Sequence, residues 1–338
     1  IVWLTQQRQE ISVKAFKTTC PQIPPEEFGR KPDKERANLV TSLLASKNRE
    51  LFTALDVYRN ASGGEKSRLA SELRKLAHDR KTLFVEAMRK NPDSALSSIL
   101  SEEERTALDS LSGIDNCIEI STTYEGTLEV VHADFFEDGV SNTTYTLSRS
   151  DSHKIELHPA GNIHVGLESG QKIRVKGVLI DNEMIFDATN SISQGQDFRG
   201  GIDIIMQPGN PPVLGEQKTV FLLVNFRNTS QPNLTTGQVS DLLTNTLNPY
   251  YVENSFGKIS VTGDVFGWYT LDIDQSCNYS TVRSQAISAS DNDVYFPNYS
   301  RLVIIAPFGP SCGWSGIAII GKTTISTGGN QESDADAG

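Results

Sequence analysis

Three different spacings of apolar residues succeed one another along the chain. Within residues 34–112, Leu69, Leu73, Leu76, Leu83, Phe84 and Met88 follow the three-four spacing of one helix face, in a segment otherwise rich in Lys, Arg and Glu. Asn91-Pro92-Asp93 predicts a stop, because proline cannot donate to the preceding turn, and Asp93 is placed to cap the next helix. Ser101 and Glu104 have the spacing of a capping box ahead of Ala107, Leu108 and Leu111. A small helical bundle or hairpin is expected. It gathers no catalytic residue types, which leaves packing, partner binding or pro-region inhibition.

From Cys117 to about Asp187 the period shortens to two. Ile118 and Ile120, Leu128 and Val130, Ile155 and Leu157, Ile163 and Val165, Ile173 and Val175 alternate with polar residues, and turn formers such as Asp138-Gly139 separate the runs. Short strands at this spacing predict a small barrel or sandwich, and Ser169 to Ile180 has the look of a strand pair from an oligonucleotide-binding-type barrel, with Gly177 expected to ease a tight bend. Asn190 to Gly215 is rich in Gly, Pro, Gln and Ser and reads as a linker. Beyond it, Val220–Phe226 is a continuous apolar run of strand length, as a strand covered on both faces requires. Val239, Leu242, Leu243 and Leu247 give a helix face, and residues 258–265 and 302–306 add strands, so the third unit reads as α/β.

Composition narrows the functional classes. The chain has 338 residues and a net charge of −11, unevenly distributed: residues 1–112 hold 19 basic and 16 acidic side chains, so the excess acid lies in the remainder. A surface that negative repels phosphate backbones and argues against nucleic acid as a partner. No apolar run approaches the roughly 18 residues of a membrane span. Six N-x-[ST] sequons, at Asn60, Asn142, Asn228, Asn233, Asn278 and Asn298, suit a secreted, extracellular protein.

Two catalytic patterns fail on inspection. Gly309-Pro-Ser311-Cys-Gly313 matches a nucleophile elbow, but the five histidines (His78, His132, His153, His158, His164) all precede Ser311, whereas the triad histidine of such hydrolases follows the serine. His153, His158 and His164 match no zinc-ligand spacing and sit in a segment patterned like a sheet. Cys277 and Cys312 share one unit and would pair in an oxidising compartment, with free buried thiols the competing reading. Cys20, in an extended N-terminal segment, would serve as a thiolate zinc-blocker in a latent precursor if it is more than an ordinary thiol.

Residues Asn248 to Tyr269, NPYYVENSFGKISVTGDVFGWY, are the most distinctive stretch. They resemble the gametolysin family of zinc metallopeptidases, and more distantly the immune inhibitor A family, in which a tyrosine-bearing helix leads into an S-[YF]-G-K turn and a strand ending near G-W-Y. The strand Val220–Phe226, the strand from Leu302 and Cys312-Gly-Trp-Ser-Gly-Ile-Ala318 extend the resemblance over residues 218 to about 322. It implies scaffold roles for Tyr251, Ser255, Gly257, Lys258, Gly263, Trp268 and Trp314. Gly257 and Gly263 are expected at tight turns, and the two tryptophans at packing sites.

The resemblance also implies a zinc site on an H-E-x-x-H helix, where the metal activates water against the peptide bonds of a protein or peptide substrate. This sequence contains no H-E-x-x-H, so the family pattern places that helix past Gly338. The expectation is therefore the N-terminal portion of a secreted metalloendopeptidase precursor, with the absent initial Met favouring a fragment over a protein that has lost its catalytic half. This portion alone is expected to bind no catalytic zinc and to cleave no peptide. The competing class is a non-catalytic extracellular binding protein whose peptidase-like unit is a relic. The expected architecture is multidomain α+β: an extended segment 1–33, helices 34–112, a β barrel or sandwich 113–188, a linker 189–217, half of a zincin-like α/β domain 218–326, and a low-complexity tail 327–338.

Overall fold

The computed structural model describes residues 20–24, 32–109, 111, 114, 116–149, 153–190, 192–193, 201–207 and 213–321. The tail 327–338 and most of segment 1–33 lie outside these residues. The architecture is α+β, with an N-terminal helical region followed by a mixed sheet and a smaller parallel one.

Two long helices, α1 (Lys34–Asn60) and α2 (Gly63–Lys90), form a hairpin, followed by the short α3 (Pro92–Leu96) and α4 (Glu102–Asp109). Asp33 starts α1 by accepting the Arg36 amide at 2.9 Å, which satisfies one of the free donors of the first turn. The capping box opens α4 as expected: Ser101 N donates to Glu104 at 2.8 Å and Glu104 N to Ser101 Oγ at 3.2 Å. At α3 the cap is Asn91, which accepts from Ser94 N. Asp93 instead accepts the Gly161 amide at 2.6 Å and ties the helix to the sheet.

Strands β1 (Ile120–Phe135), β2 (Val140–Ser148), β3 (Lys154–Ala160), β4 (Lys172–Ile180) and β5 (Glu183–Asp187) close a barrel in the order β1-β2-β3-β5-β4-β1. The 16-residue β1 makes closure possible, since its first half pairs with β4 and its second half with β2. Leu128, Val130, Leu147, Ile155, Leu157, Ile173, Val175, Met184 and Phe186 fill the interior. The expected small barrel is thus present. Two further strands sit outside its expected limits. The span read as a linker contains β6 (Ile192–Ser193) and β7 (Gly201–Met206), and β7 extends the same sheet along β4, with Ile202 and Ile204 in the core.

The third unit is a parallel sheet of β8 (Gly215–Phe226), β9 (Ile259–Leu271) and β10 (Arg301–Ile305), with β8 central. Helices α5 (Thr236–Leu242) and α6 (Asn248–Asn254), joined by a π-helical turn, connect β8 to β9, and α7 (Tyr279–Ser290) connects β9 to β10. Val220, Leu222, Val224 and Phe226 face Val282, Ala286, Ile287 and Phe296 on one side, while Phe221 and Leu223 face Val239 and Leu243 on the other. This two-sided burial explains why β8 is apolar at every position from Val220 to Val224. The final strand, β11 (Gly316–Ile319), leaves this unit and pairs antiparallel with the barrel's β1, so the expected boundary of 218–326 does not hold as a separate body.

Candidate functional site

Tyr251, Ser255, Gly257 and Lys258 occupy the N-terminal end of the parallel sheet. Ser255 Oγ accepts the Ile259 amide at 2.9 Å and closes the turn from α6 into β9. That turn runs through Phe256 at φ +55 and Gly257 at φ +74, so glycine meets a real conformational demand at 257. Phe256 bears the same demand with a side chain, which costs about 1–2 kcal/mol. The residue is 91% exposed. Lys258 accepts the Gly215 amide through its carbonyl, aligning β8 with β9. Tyr251 lies on α6, none of whose residues is buried, with its ring edge-on to Tyr250.

Gly263 corrects an expectation. It sits inside β9 rather than at a turn, and a Cβ there would run into the Thr219 carbonyl of the adjacent strand. Close approach of two backbones is therefore the reason for the glycine. The tryptophans do pack. Trp268 joins the Val239–Leu243 cluster and donates from Nε1 to Leu234 O at 2.7 Å. Trp314 packs with Phe308, Phe135 and Cys312 where the unit meets the barrel. Beside that contact, Tyr279 on α7 donates to Glu129 of β1. Burial first, then the adjacent carboxylate, pushes its phenol well above the ordinary tyrosine range.

The cysteines resolve into two disulfides, Cys277–Cys312 as one reading anticipated and Cys20–Cys117. The second removes the zinc-blocking role offered for Cys20, because a sulfur bonded to sulfur supplies no thiolate. It fixes the start of a segment laid along a charged seam between α2 and the barrel. Arg80, fully buried, makes a two-pronged bond to Glu119 (2.6 and 2.8 Å) and also reaches Asn48 and Ser98 O. Lys81 bonds Asp181 at 2.7 Å and Pro21 O at 3.0 Å, and Asp181 accepts from Ile23 N. Arg89 binds Glu183 and Pro24 O.

This seam was invisible in the sequence, where Arg80, Lys81 and Arg89 look like the solvated side of a charged helix. Only Glu119, an acid one residue before a strand of alternating pattern, hints at a buried partner. At its end His158 Nε2 lies 2.5 Å from Glu183 Oε2, with Glu156 nearby. Burial alone would raise the Glu183 pKa, but hydrogen bonds and charge from His158 and Arg89 outweigh it and hold the carboxyl below the usual carboxylate range. Among the described residues Glu156, His158 and Glu183 are the one group with the reach to hold a metal ion. The Arg89 guanidinium already supplies the cation at Glu183, so this trio does not fit a catalytic zinc centre. His153 and His164 are not part of it. Ser311 falls in a short 3₁₀ turn rather than at the head of a helix, against the elbow geometry.

No family model matches the chain, and neither the curated proteins nor the solved structures yield a match. All four cysteines are paired, as an oxidising compartment permits. Among the described residues no helix is long and apolar enough to cross a membrane.

Proposed function

We propose that this chain is the non-catalytic N-terminal portion of a secreted gametolysin-like zinc metalloendopeptidase precursor. One observation carries the reading: β10 is apolar, with Leu302, Ile304 and Ile305 only partly buried and Val303 exposed, and among the described residues nothing pairs with its outer edge. A sheet of three parallel strands with an apolar border favours continuation by further polypeptide. The S-F-G-K turn that leads from α6 into β9 supports the reading. The helices and barrel, joined by the charged seam, then act as a preassembled pro-region docked against the half-domain through β11. Zinc ligation belongs to the helix that the family pattern places elsewhere, and no catalytic step is assigned to residues of this chain.

Reading the transcript through the codon for Gly338 tests this. An in-frame H-E-x-x-H within the following domain length supports the precursor; a stop codon directly after Gly338 overturns it in favour of a binding protein.

A further inference from the structure

We infer that the six sequons are not equivalent, and that Asn228, Asn233, Asn278 and Asn298 are N-glycosylation sites whereas Asn142 is not. The inference rests on the secreted reading above. The chemistry is a group transfer: the carboxamide Nδ2 attacks the anomeric carbon of a lipid-pyrophosphate-linked oligosaccharide. A C–N bond forms, the C–O bond to the pyrophosphate breaks, the lipid pyrophosphate leaves, and the nitrogen gives up one proton. A folded protein can carry the product only where Nδ2 points to water and the sugar meets no packed surface.

Four sites meet that condition. Asn228 is exposed in the loop after β8, and its Oδ1 accepts the Gln275 amide at 2.8 Å, which turns the oxygen inward and Nδ2 outward. Asn278 is exposed and caps α7, its Oδ1 accepting from Thr281 N at 3.0 Å, with the same consequence for Nδ2. Asn233 and Asn298 are exposed, and no hydrogen bond to either side chain occurs among the described residues. The first three lie on the loops that follow β8 and β9, at the C-terminal end of the parallel sheet, and the Asn228–Gln275 bond joins those loops. Carbohydrate there would form a rim on that end alone. The opposite end, with Val213, Leu214, Tyr251 and Phe256 exposed, would carry only the Asn298 glycan beside it.

Asn142 is different in kind. It stands in β2 directly opposite Ala133 of β1, and directly opposed residues of antiparallel strands share a face. Ala133 packs with Cys312 and Trp314, so this is the face against which the α/β unit docks. The hydroxyl of its sequon partner, Thr144, is buried. A glycan at Asn142 would wedge the two units apart. Asn60 donates Nδ2 to Asp56 O at the end of α1 and is left out of the assignment.

The test is expression of the full chain behind a secretion signal in human cells, enzymatic deglycosylation in ¹⁸O-water, and peptide mass mapping. The expected result is ¹⁸O-labelled aspartate at positions 228, 233, 278 and 298 in most molecules and unlabelled asparagine at 142. Labelling of Asn142 in folded secreted material, or background labelling at any of the four, overturns the assignment. An Asn142→Gln variant with unchanged mass and thermal midpoint supports it. The same mapping on the chain from its natural source separates the two claims: four labelled sites in the human-cell product with an unmodified natural chain would leave the site geometry intact and sink the secreted reading.

Discussion

The helix–barrel body and the parallel-sheet unit solve the problem of burial in opposite ways. The first closes every strand of its ring and then sets three cations against carboxylates at its seam, Arg80 and Lys81 buried and Arg89 partly so, each with further hydrogen bonds to its neighbours. The second packs two apolar faces around β8 and leaves a half-covered apolar strand at its border. A buried ion pair contributes little net stability over a well-packed apolar substitute, yet removing one partner is costly, so a seam of this kind fixes one relative arrangement of two elements. An apolar border fixes nothing until something pairs with it. The contrast is between a ring of strands closed on itself and an open sheet with an apolar border.

The largest effect should come from breaking the seam. Glu119→Ala leaves Arg80 buried and unpaired and also orphans the Leu100 amide, so a loss of about 3–5 kcal/mol is expected in urea unfolding of the helix–barrel body. A loss under about 1 kcal/mol would mean that the apolar core alone holds the helices in place. Next in size, a Cys277→Ser/Cys312→Ser variant opens a 35-residue separation and should cost about 3–4 kcal/mol. That loss should appear as earlier proteolytic cleavage within residues 213–321, with the barrel unaffected.

The seam also predicts an acid limb. Because Glu183 titrates below its unfolded value, its contribution is present above the unfolded carboxylate pKa, about 4.3, and is lost as pH falls through the lower folded value. Thermal melts should therefore decline below about pH 4, and Glu183→Gln should lower the neutral-pH midpoint while flattening that decline. An unchanged acid limb in the variant would assign acid sensitivity to other carboxylates. The smallest effect is a gain: Phe256→Asn relieves the left-handed backbone at an exposed position and should stabilise the sheet unit by up to about 1 kcal/mol. A loss instead would show that the Phe256 ring makes a stabilising contact.

Periodicity carried the local structure well. The three-four spacing and the Ser101–Glu104 box located helices, and alternation located β1, β3 and β4 but also suggested a strand at Ile163 and Val165, which lie in the connection between β3 and β4; the run Val220–Phe226, interrupted only at Asn225, marked a strand covered on both sides. Pairing was another matter. Strand β7 was hidden because glycine and proline on either side of it dominate the composition of its span, although Ile202, Ile204 and Ile205 alternate poorly with only Asp203 between them. For β11, the sequence held no signal for which sheet would take it. The Cys20–Cys117 bond joins residues 97 apart through a surface that no local pattern describes. The seam was hidden for a related reason: a basic side chain on a charged helix reads as solvated until a carboxylate from a distant strand is laid over it.

Strand β11 carries a consequence for the birth of the chain on the ribosome. Its partner on β1 is Val131 opposite Ile319, so the outer border of the barrel's first strand stays uncovered until translation has passed the whole of the parallel-sheet unit. At roughly 5–20 residues per second that delay is on the order of ten to forty seconds. Throughout it the nascent barrel presents a bare strand edge to every other chain in the compartment, and release from that hazard arrives only when β11 is made.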